Sequence, residues 1–214
     1  MKPSEAAPSH YFTPRAPREN DAPIEDNAYR IKEKIGATTL SFHTSSGVFA
    51  RNGLDDGSRL LLETAKILDD MRILDLGCGW GAVGCFMATR APQSRIVMCD
   101  INGVAAQVAL RNAQENGLTN VAAFCGDGAS ALKSESFDVV VCNPPVRAGN
   151  AVIAKLFDDS LRVLASDGGA LWIVLRTAQG AKSWQKRLGN QFGNCEKVAM
   201  RGGFRVLKSV KSDT

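Results

Sequence analysis

The stretch RILDLGCGWG at residues 72–81 decides the fold. Its first five residues have the length and apolar content of a short buried strand. Three glycines, Gly77, Gly79 and Gly81, follow, and a helical pattern begins directly after the last of them. Glycine permits positive φ and lets a ligand approach the backbone, while the free N–H groups at a helix start favour an anion. The stretch therefore predicts a strand, a glycine turn and a helix that together bind a ligand.

Strands and helices alternate along the rest of the chain. Apolar runs of strand length are separated by segments whose apolar residues have helical spacing. The predicted elements are strands at 95–99, 121–125, 137–142 and 170–175, helices at 82–90, 104–116, 151–164 and 181–188, and a C-terminal hairpin of 197–200 and 204–209. Such alternation with near-continuous apolar strands is typical of a doubly wound α/β fold. We expect a mostly parallel seven-stranded sheet with helices on both faces and an antiparallel C-terminal hairpin.

The N-terminal residues differ in composition from the remainder. Five of the eight prolines lie within the first 23 residues, a density that is incompatible with a helix or a central strand. We predict an extended arm over residues 1–30, with His10-Tyr11-Phe12 as its one apolar cluster. Residues 31–214 are predicted to form a single domain.

Two elements are expected between the arm and the glycine turn. Residues 40–44 alternate like a strand, and residues 47–50 resemble its hairpin partner. Asp55 or Asp56 can cap a helix that runs over 57–68, where apolar residues recur at helical spacing.

Composition limits the class of protein. With 44% hydrophobic and 22% charged residues, the 214 residues fit one globular domain and exclude a collagen, a coiled coil or a fully disordered chain. No apolar run reaches the ~18 residues of a membrane span, and the first residues lack the apolar core of a secretory signal. The six cysteines form no CxxC pair and no zinc-ligand spacing, a pattern typical of reduced thiols. We therefore expect a cytoplasmic protein without a membrane segment or a bound metal.

Positive charge is concentrated near the C-terminus. Residues 171–214 carry a net charge of +7, from nine basic residues against Glu196 and Asp213, whereas the first 170 residues carry −3. The basic residues are Arg176, Lys182, Lys186, Arg187, Lys197, Arg201, Arg205, Lys208 and Lys211. This asymmetry indicates either a polyanionic partner or a solvated basic face.

Asp75 distinguishes two cofactors that fit the glycine turn. The spacing of Gly77, Gly79 and Ala82 matches the dinucleotide fingerprint, with Asp100 at about the expected distance to bind a ribose. A carboxylate at Asp75, two residues before the first glycine, would repel a pyrophosphate by about 1 kcal/mol or more. S-adenosylmethionine carries an ammonium, a sulfonium and one carboxylate but no phosphate. The sequence therefore favours S-adenosylmethionine over a dinucleotide.

Aspartates at two further strand ends extend the predicted cofactor site. The two oxygens of Asp100 can accept both ribose hydroxyls, and Asp127 can accept from an adenine amino group. Either could instead be a capping or loop aspartate. The predicted cofactor-binding residues are Asp75, Gly77, Cys78, Gly79, Gly81, Asp100, Ile101, Asp127 and Asn143.

The turn Asn143-Pro144-Pro145-Val146 ends the fourth predicted strand of the alternating region. Two prolines fix φ, so that the Asn143 amide oxygen and the Pro144 carbonyl are rigid hydrogen-bond acceptors. They match the two hydrogens of a planar NH₂ group and would direct its lone pair toward a sulfonium methyl. This chemistry requires neither a metal nor a covalent nucleophile. The four residues are the predicted catalytic residues, and a plain strand-ending turn is the alternative.

These motifs resemble those of the class I methyltransferases. Over nearly its whole length the chain is similar to the small-domain group, which includes 16S rRNA guanine-N2 methyltransferases. The segments that carry the likeness are residues 10–12, 47–49, 55–58, 75–81, 143–149, 179–182 and 202–208. The resemblance implies a Rossmann-like methyltransferase fold, S-adenosylmethionine as the cofactor, and methyl transfer to N2 of a guanine in RNA, with 16S rRNA as the expected target.

The sequence departs from this group in two ways. Val146 stands where many relatives have an aromatic residue that stacks on the acceptor base, which weakens an adenine-N6 or protein-glutamine acceptor and favours guanine N2. The sequence also shows no counterpart of the extra N-terminal domain of larger rRNA enzymes, so the ribosomal target is implied by the family alone. A non-catalytic, cofactor-binding RNA-associated protein is a further alternative, which the intact Asn143-Pro144-Pro145 argues against.

Overall fold

A computed structural model describes residues 29–44 and 53–212 of the chain. The cluster His10-Tyr11-Phe12 and the expected strand 47–50 lie outside the described residues. The predicted arm, 1–30, lies outside them as well, except for its last two residues, which already belong to the first strand.

The described residues form nine strands and five α-helices. The strands are β1 Tyr29–Ile35, β2 Thr38–Thr44, β3 Arg72–Leu76, β4 Arg95–Asp100, β5 Val121–Cys125, β6 Val139–Cys142, β7 Ala170–Arg176, β8 Glu196–Arg201 and β9 Phe204–Val210. The helices are α1 Asp56–Thr64, α2 Ala82–Arg90, α3 Gly103–Glu115, α4 Asn150–Val163 and α5 Ala181–Phe192. From β3 onward every predicted element is present, with boundaries that differ by at most four residues.

Seven strands form one sheet in the order β5-β4-β3-β6-β7-β9-β8. The strands from β5 to β7 are parallel, whereas β9 pairs antiparallel with β7 and β8 antiparallel with β9. Helices α1, α2 and α3 bury an apolar cluster against one face, and α4 and α5 bury a second cluster against the other. The doubly wound α/β fold with an antiparallel C-terminal hairpin is therefore confirmed.

The strand order reverses between β3 and β6, and a crevice at such a point is where sheets of this kind bind ligands. The register pairs Leu76 of β3 with Cys142 of β6. The next residues, Gly77 and Asn143, therefore leave the sheet side by side, about 5 Å apart, the usual spacing of neighbouring strands. The glycine turn and the Asn-Pro-Pro turn meet at the carboxyl edge of the sheet.

A separate hairpin of β1 and β2 packs on α2 and α3. Its second strand contains the predicted residues 40–44, but its partner in the described residues is β1, which the sequence analysis did not predict. Phe42 on β2 is fully buried, and its ring lies edge-on to that of Trp80, with the centroids 4.8 Å apart. The hairpin thereby holds the tryptophan of the glycine turn in place.

Helix α1 is shorter than its apolar periodicity predicts. Asp55 is the residue that caps it, since its side chain accepts from the backbone N–H groups of the first turn. The helix ends at Thr64, Ala65 is extended, and Leu68 is 67% exposed. The predicted end at Leu68 was wrong because that side chain has no apolar surface to pack against.

All six cysteines lie in the described ranges and are free thiols. Burial raises the pKa of Cys85 and of Cys99 to about 12, so these thiols are protonated at neutral pH. Within residues 29–44 and 53–212, no helix is long and apolar enough to cross a membrane. The same residues include no group of three or more His, Cys, Asp or Glu side chains placed to hold a metal ion.

Candidate active site

The three glycines of the turn have left-handed backbone conformations, with φ of 76° at Gly77, 55° at Gly79 and 85° at Gly81. A Cβ atom at Gly77 or Gly79 would meet nothing within 4 Å, so the backbone there is open to a ligand. At Gly81 it would lie 2.7 Å from the Cβ of Ala109, so this glycine lets α3 pack closely against the turn. The first two glycines thus leave space for a cofactor, and the third allows α3 to pack against the turn.

Asp100 ties the glycine turn to the end of β4. Its Oδ2 accepts from the N–H of Gly79 and its Oδ1 from the N–H of Asn102, both at 2.9 Å. Burial raises the pKa of Asp100, although the two backbone hydrogen bonds lower it in part. A carboxylate oxygen has two lone pairs, so each oxygen can still accept from one hydroxyl of a ribose diol.

Asp75 lies beneath the turn and is not exposed to a ligand in the way that the predicted repulsion of a pyrophosphate requires. Its side chain shares the face of β3 that α2 covers, because side chains alternate along a strand and Ile73 faces the same cluster. The residue is 2% exposed, and its Oδ2 accepts from the N–H of Gly84 at 2.8 Å. Burial raises its pKa to about 7. Asp75 is a buried acid at the start of a helix.

The other predicted cofactor residues lie around the same edge. Cys78 is buried in the turn, and burial raises the pKa of its thiol, so it is a neutral group. Ile101 directly follows Asp100 and is half-buried. Asp127 is farther out, because its side chain is 63% exposed and its Oδ1 lies 3.3 Å from the Nζ of Lys155. The structure thus brings the turn and Asp100 together and leaves Asp127 on the rim.

Among residues 29–44 and 53–212, the side chain of Asn143 is held through its amide nitrogen. Its Nδ2 donates to the Oγ of Ser58 at 2.9 Å and lies 3.2 and 3.3 Å from the two oxygens of Asp55. Pro144 is buried, and Val146 begins a short 3₁₀ turn and packs against the cluster formed by α4 and α5. With its nitrogen bound to α1, the amide has its oxygen as the remaining polar atom.

The sequence analysis missed two sets of contacts at the site. Asp55 was predicted only as a possible helix cap and Ser58 was noted only for its family likeness, and no spacing rule connects either residue to Asn143. Asn112 of α3 is fully buried and donates through Nδ2 to the carbonyl of Trp80 at 2.8 Å and to that of His43 at 3.0 Å. It links the β1–β2 hairpin to the glycine turn, and its sequence context is that of an ordinary helix residue.

Comparison with known proteins identifies the family. The model of the methyltransferase small domain matches residues 39–208. The chain belongs to this family. As a small-domain methyltransferase it is an S-adenosylmethionine-dependent enzyme, and the open backbone at Gly77 and Gly79 with the acceptor oxygens of Asp100 fits that cofactor.

Two relatives and one solved structure illustrate the range of similarity. The chain is 34% identical over 186 residues to the uncharacterized protein YbxB of Bacillus subtilis, covering 86% of this chain and 90% of YbxB. It is 33% identical over 198 residues to the ribosomal RNA large subunit methyltransferase G of Stutzerimonas stutzeri, covering 90% of this chain but 52% of that protein. The fold matches that of a T. thermophilus 16S rRNA guanine N2 methyltransferase, RsmC, solved with AdoMet and guanosine, with a TM-score of 0.78 and 24% identity, covering 88% of this chain and 52% of that one. The chain therefore spans about half the length of these two rRNA enzymes.

Proposed function

We propose that this methyltransferase transfers a methyl group to the exocyclic N2 of a guanine in RNA, with 16S rRNA as its substrate. The observation that carries the proposal is the anchored amide of Asn143, whose nitrogen is bound to α1 and whose oxygen is left to accept from an amine. Two of the similar proteins, of which this chain covers about half, are named as ribosomal RNA methyltransferases. Their names support RNA as the substrate class. Six free thiols fit the cytoplasmic location expected of such an enzyme.

In this mechanism the protein supplies orientation. Bound S-adenosylmethionine provides the methyl group on a sulfonium. The Asn143 oxygen and the Pro144 carbonyl accept the two hydrogens of the guanine NH₂, which directs the nitrogen lone pair toward the methyl and stabilises the positive charge that develops there. The bond from N2 to the methyl carbon would form as the bond from that carbon to the sulfonium sulfur breaks, and N2 would then lose one proton to water. Asp100 and the N–H groups of the glycine turn would hold the cofactor. N2 of a paired guanine is not free, so the base must be unpaired or extruded.

Guanine fits the acceptor side better than the alternatives. Val146 offers a small apolar surface and leaves room for a purine presented by its N2 edge. Arg147 is exposed on the same short turn, where it can donate to guanine O6 or to a flanking phosphate. Adenine lacks that oxygen, and a glutamine side chain would leave the space for a base empty.

The proposal is tested by the modified nucleoside itself. RNA from a strain that lacks the protein is expected to lose an N2-methylguanine signal on digestion and mass spectrometry. The signal should return with the wild-type gene and not with Asn143→Ala. Loss of N6-methyladenine, or of a methylated protein glutamine, in place of N2-methylguanine would contradict the assignment.

A cluster of positive charge lies on the same edge of the sheet as Asn143. We define the basic edge as Arg176 at the end of β7, Lys182 at the start of α5, and Arg201 and Arg205 on either side of the turn between β8 and β9. Within it, the guanidinium of Arg176 stacks 4.5 Å from the ring centroid of Phe204, and Arg201 lies 2.7 Å from the carboxylate of Glu63. The edge supports an RNA substrate because phosphates flanking the target base would lie over it.

Neutralising the basic edge is expected to weaken RNA binding and its salt dependence. Each lost phosphate contact lowers the slope of log affinity against log salt by about 0.7 for single strands. The triple variant Arg176→Gln, Lys182→Gln and Arg205→Gln should therefore lower the slope by about 2, measured by fluorescence anisotropy with an rRNA fragment. Arg201 is left unchanged because Glu63 already offsets its charge.

The matched control removes three exposed cations from the amino edge of the sheet, through Lys66→Gln, Arg95→Gln and Lys133→Gln. It makes the same change in net charge and should leave the slope within about 0.3 of the wild-type value, well below the ~0.7 of a single phosphate contact. Equal slopes for the two triple variants would mean that the basic edge is only a solvated surface.

A further inference from the structure

The amide of Asn143 uses both of its hydrogens on α1. One is directed to the Oγ of Ser58 at 2.9 Å, and the other is shared between the two carboxylate oxygens of Asp55 at 3.2 and 3.3 Å. A primary amide has two donor hydrogens and one acceptor oxygen. With both donors bound on one side, the oxygen must point to the other, so the orientation of the amide is fixed.

We propose that Asp55 and Ser58 are positioning residues for methyl transfer, which hold Asn143 with its oxygen toward the acceptor amine. The proposal rests on the role given above to Asn143. Asp55 and Ser58 need not touch the substrate. They determine whether Asn143 presents its acceptor oxygen or its donor NH₂ group at the place where the amine of the substrate binds. Only the acceptor oxygen can take a hydrogen bond from that amine.

The start of α1 is itself held rigidly. Oδ1 of Asp55 also accepts from the N–H groups of Gly57 at 2.9 Å and Ser58 at 3.1 Å, so the same carboxylate caps the helix and holds Asn143. A Cβ atom at Gly57 would lie 2.8 Å from the ring of Phe204, which shows how closely this helix start approaches β9. The capping residue therefore cannot move away from Asn143 without repacking the end of the sheet.

The charge of Asp55 has a consequence for the chemistry as well. The carboxylate lies behind the nitrogen end of the Asn143 amide and increases the electron density on its oxygen. The amine nitrogen becomes positive as it takes up the methyl group, so an acceptor polarised in this way binds the transition state more strongly than the ground state. The arrangement is expected to affect kcat more than substrate binding.

Asp55→Asn tests the orientation without removing the helix cap. Asparagine caps helices as well as aspartate does, so α1 should remain folded. Its amide nitrogen would face the Nδ2 of Asn143, two donors cannot bond, and the Asn143 amide would turn its NH₂ toward the acceptor. We expect kcat to fall about tenfold or more, with the Kd for S-adenosylmethionine within twofold of wild type.

The double variant Asp55→Asn with Asn143→Asp supplies the decisive comparison. The introduced amide can donate to one oxygen of the introduced carboxylate, which leaves the second oxygen as an acceptor for the amine. We expect each single variant to be impaired, because Asn143→Asp alone places two carboxylates together, and the double variant to recover at least fivefold in kcat over Asp55→Asn. Such recovery would show that the two side chains are energetically coupled, as expected from the 3.2 Å contact between them.

Ser58 and Arg59 provide the remaining variants. Ser58→Ala should lower kcat about threefold or more. Ser58→Thr should keep the wild-type kcat, because the threonine hydroxyl can accept at the same place. Arg59→Gln breaks the 2.7 Å ion pair of α1 with Glu33 and leaves the partners of Asn143 intact, so its kcat should equal that of wild type.

The outcomes separate this inference from the proposed function. Wild-type kcat in folded Asp55→Asn, or a double variant no better than the singles, overturns the positioning role while leaving that of Asn143 in place. Undiminished turnover in Asn143→Ala overturns the role of Asn143 itself. If Asp55→Asn does not fold, the Ser58→Ala and Ser58→Thr pair decides, and equal kcat values for these two overturn the inference.

Discussion

Replacing Asn143 by alanine is expected to lower kcat about a hundredfold or more, the typical loss when one preorganised hydrogen-bonding group at a reacting atom is removed. The Kd for S-adenosylmethionine should stay within about twofold of wild type, because the turn Gly77–Gly81 and Asp100 remain intact. A loss in kcat without a loss in cofactor binding identifies an interaction made in the transition state. Single-turnover transfer of a labelled methyl group and titration calorimetry give the two quantities.

The matched control is the same substitution at a remote asparagine. Asn194 lies near the amino edge of the sheet, where its Nδ2 donates to the carbonyl of Val210 at 2.7 Å and its Oδ1 accepts from the N–H of the same residue at 2.8 Å. Asn194→Ala therefore loses at least as many hydrogen bonds but should keep wild-type kcat. If Asn143→Ala lost cofactor affinity and kcat in equal measure, the residue would be structural rather than catalytic.

The sheet could be predicted from the sequence because its strands are short apolar runs between helices. Arg72–Leu76 and Val121–Cys125 have the predicted boundaries, and β8 and β9 differ from prediction by one residue at each shifted end. Strand β3 is almost fully buried, whereas β5 and β8 lie at the two edges of the sheet and contain no fully buried residue. In each case a short apolar run between turn signals distinguishes the strand from the amphipathic helices. Local pattern is therefore sufficient for these short strands at the centre of the sheet and at its edges.

The β1–β2 hairpin shows where this reasoning fails. The sequence of β1, YRIKEKI, is mostly charged, and the four-residue spacing of Ile31 and Ile35 fits one face of a helix as well as one face of a strand. It forms a strand because it pairs along its full length with β2, from Tyr29 opposite Thr44 to Ile35 opposite Thr38. That pairing depends on tertiary packing against α3, which the local pattern does not encode.

The candidate site also has one part that local sequence predicts and one part that depends on tertiary packing. The glycine turn and the Asn-Pro-Pro turn are local motifs, and the alternation of strands and helices places both at one edge of the sheet. The contact of Asn143 with Asp55 joins residues 88 positions apart, and that of Asn112 with His43 joins residues 69 positions apart. These partners depend on how α1 and the hairpin dock, so one sequence could not predict them.

Asp75→Asn is expected to remove a loss of folding stability that the wild-type protein undergoes as the pH rises from 4 to 7. Burial raises the pKa of Asp75 from 3.8 to about 7. Between these values the native protein holds a proton that the unfolded chain has lost, so this group's contribution to stability is complete below pH 4 and is lost as pH rises through 7. At about 1.4 kcal/mol per unit, the loss is about 4 kcal/mol at most. Asparagine can still accept from the N–H of Gly84 but carries no charge, so the variant should gain stability relative to wild type by up to that amount between pH 4 and pH 8.

Urea unfolding at several pH values measures this difference, and Asp138→Asn is the control. The Asp138 carboxylate accepts from Arg72, which lowers its pKa, so its contribution is lost only as pH falls below 4 and should be constant between pH 5 and pH 8. If the free energies of unfolding of wild type and Asp75→Asn changed in parallel with pH, Asp75 would be ionised in the native protein over the whole pH range measured.

The same proton links Asp75 to the cofactor. The sulfonium and ammonium of S-adenosylmethionine favour the ionised carboxylate, so binding near the glycine turn should lower the pKa of Asp75 and release its proton around neutral pH. Wild-type affinity for the cofactor should then rise from pH 6 to pH 8 more steeply than that of Asp75→Asn, because titration of the cofactor's own amine is common to both. Calorimetry in buffers of different ionisation enthalpy counts the released protons directly. An equal number for wild type and variant would show that this buried acid does not respond to the cofactor's charge.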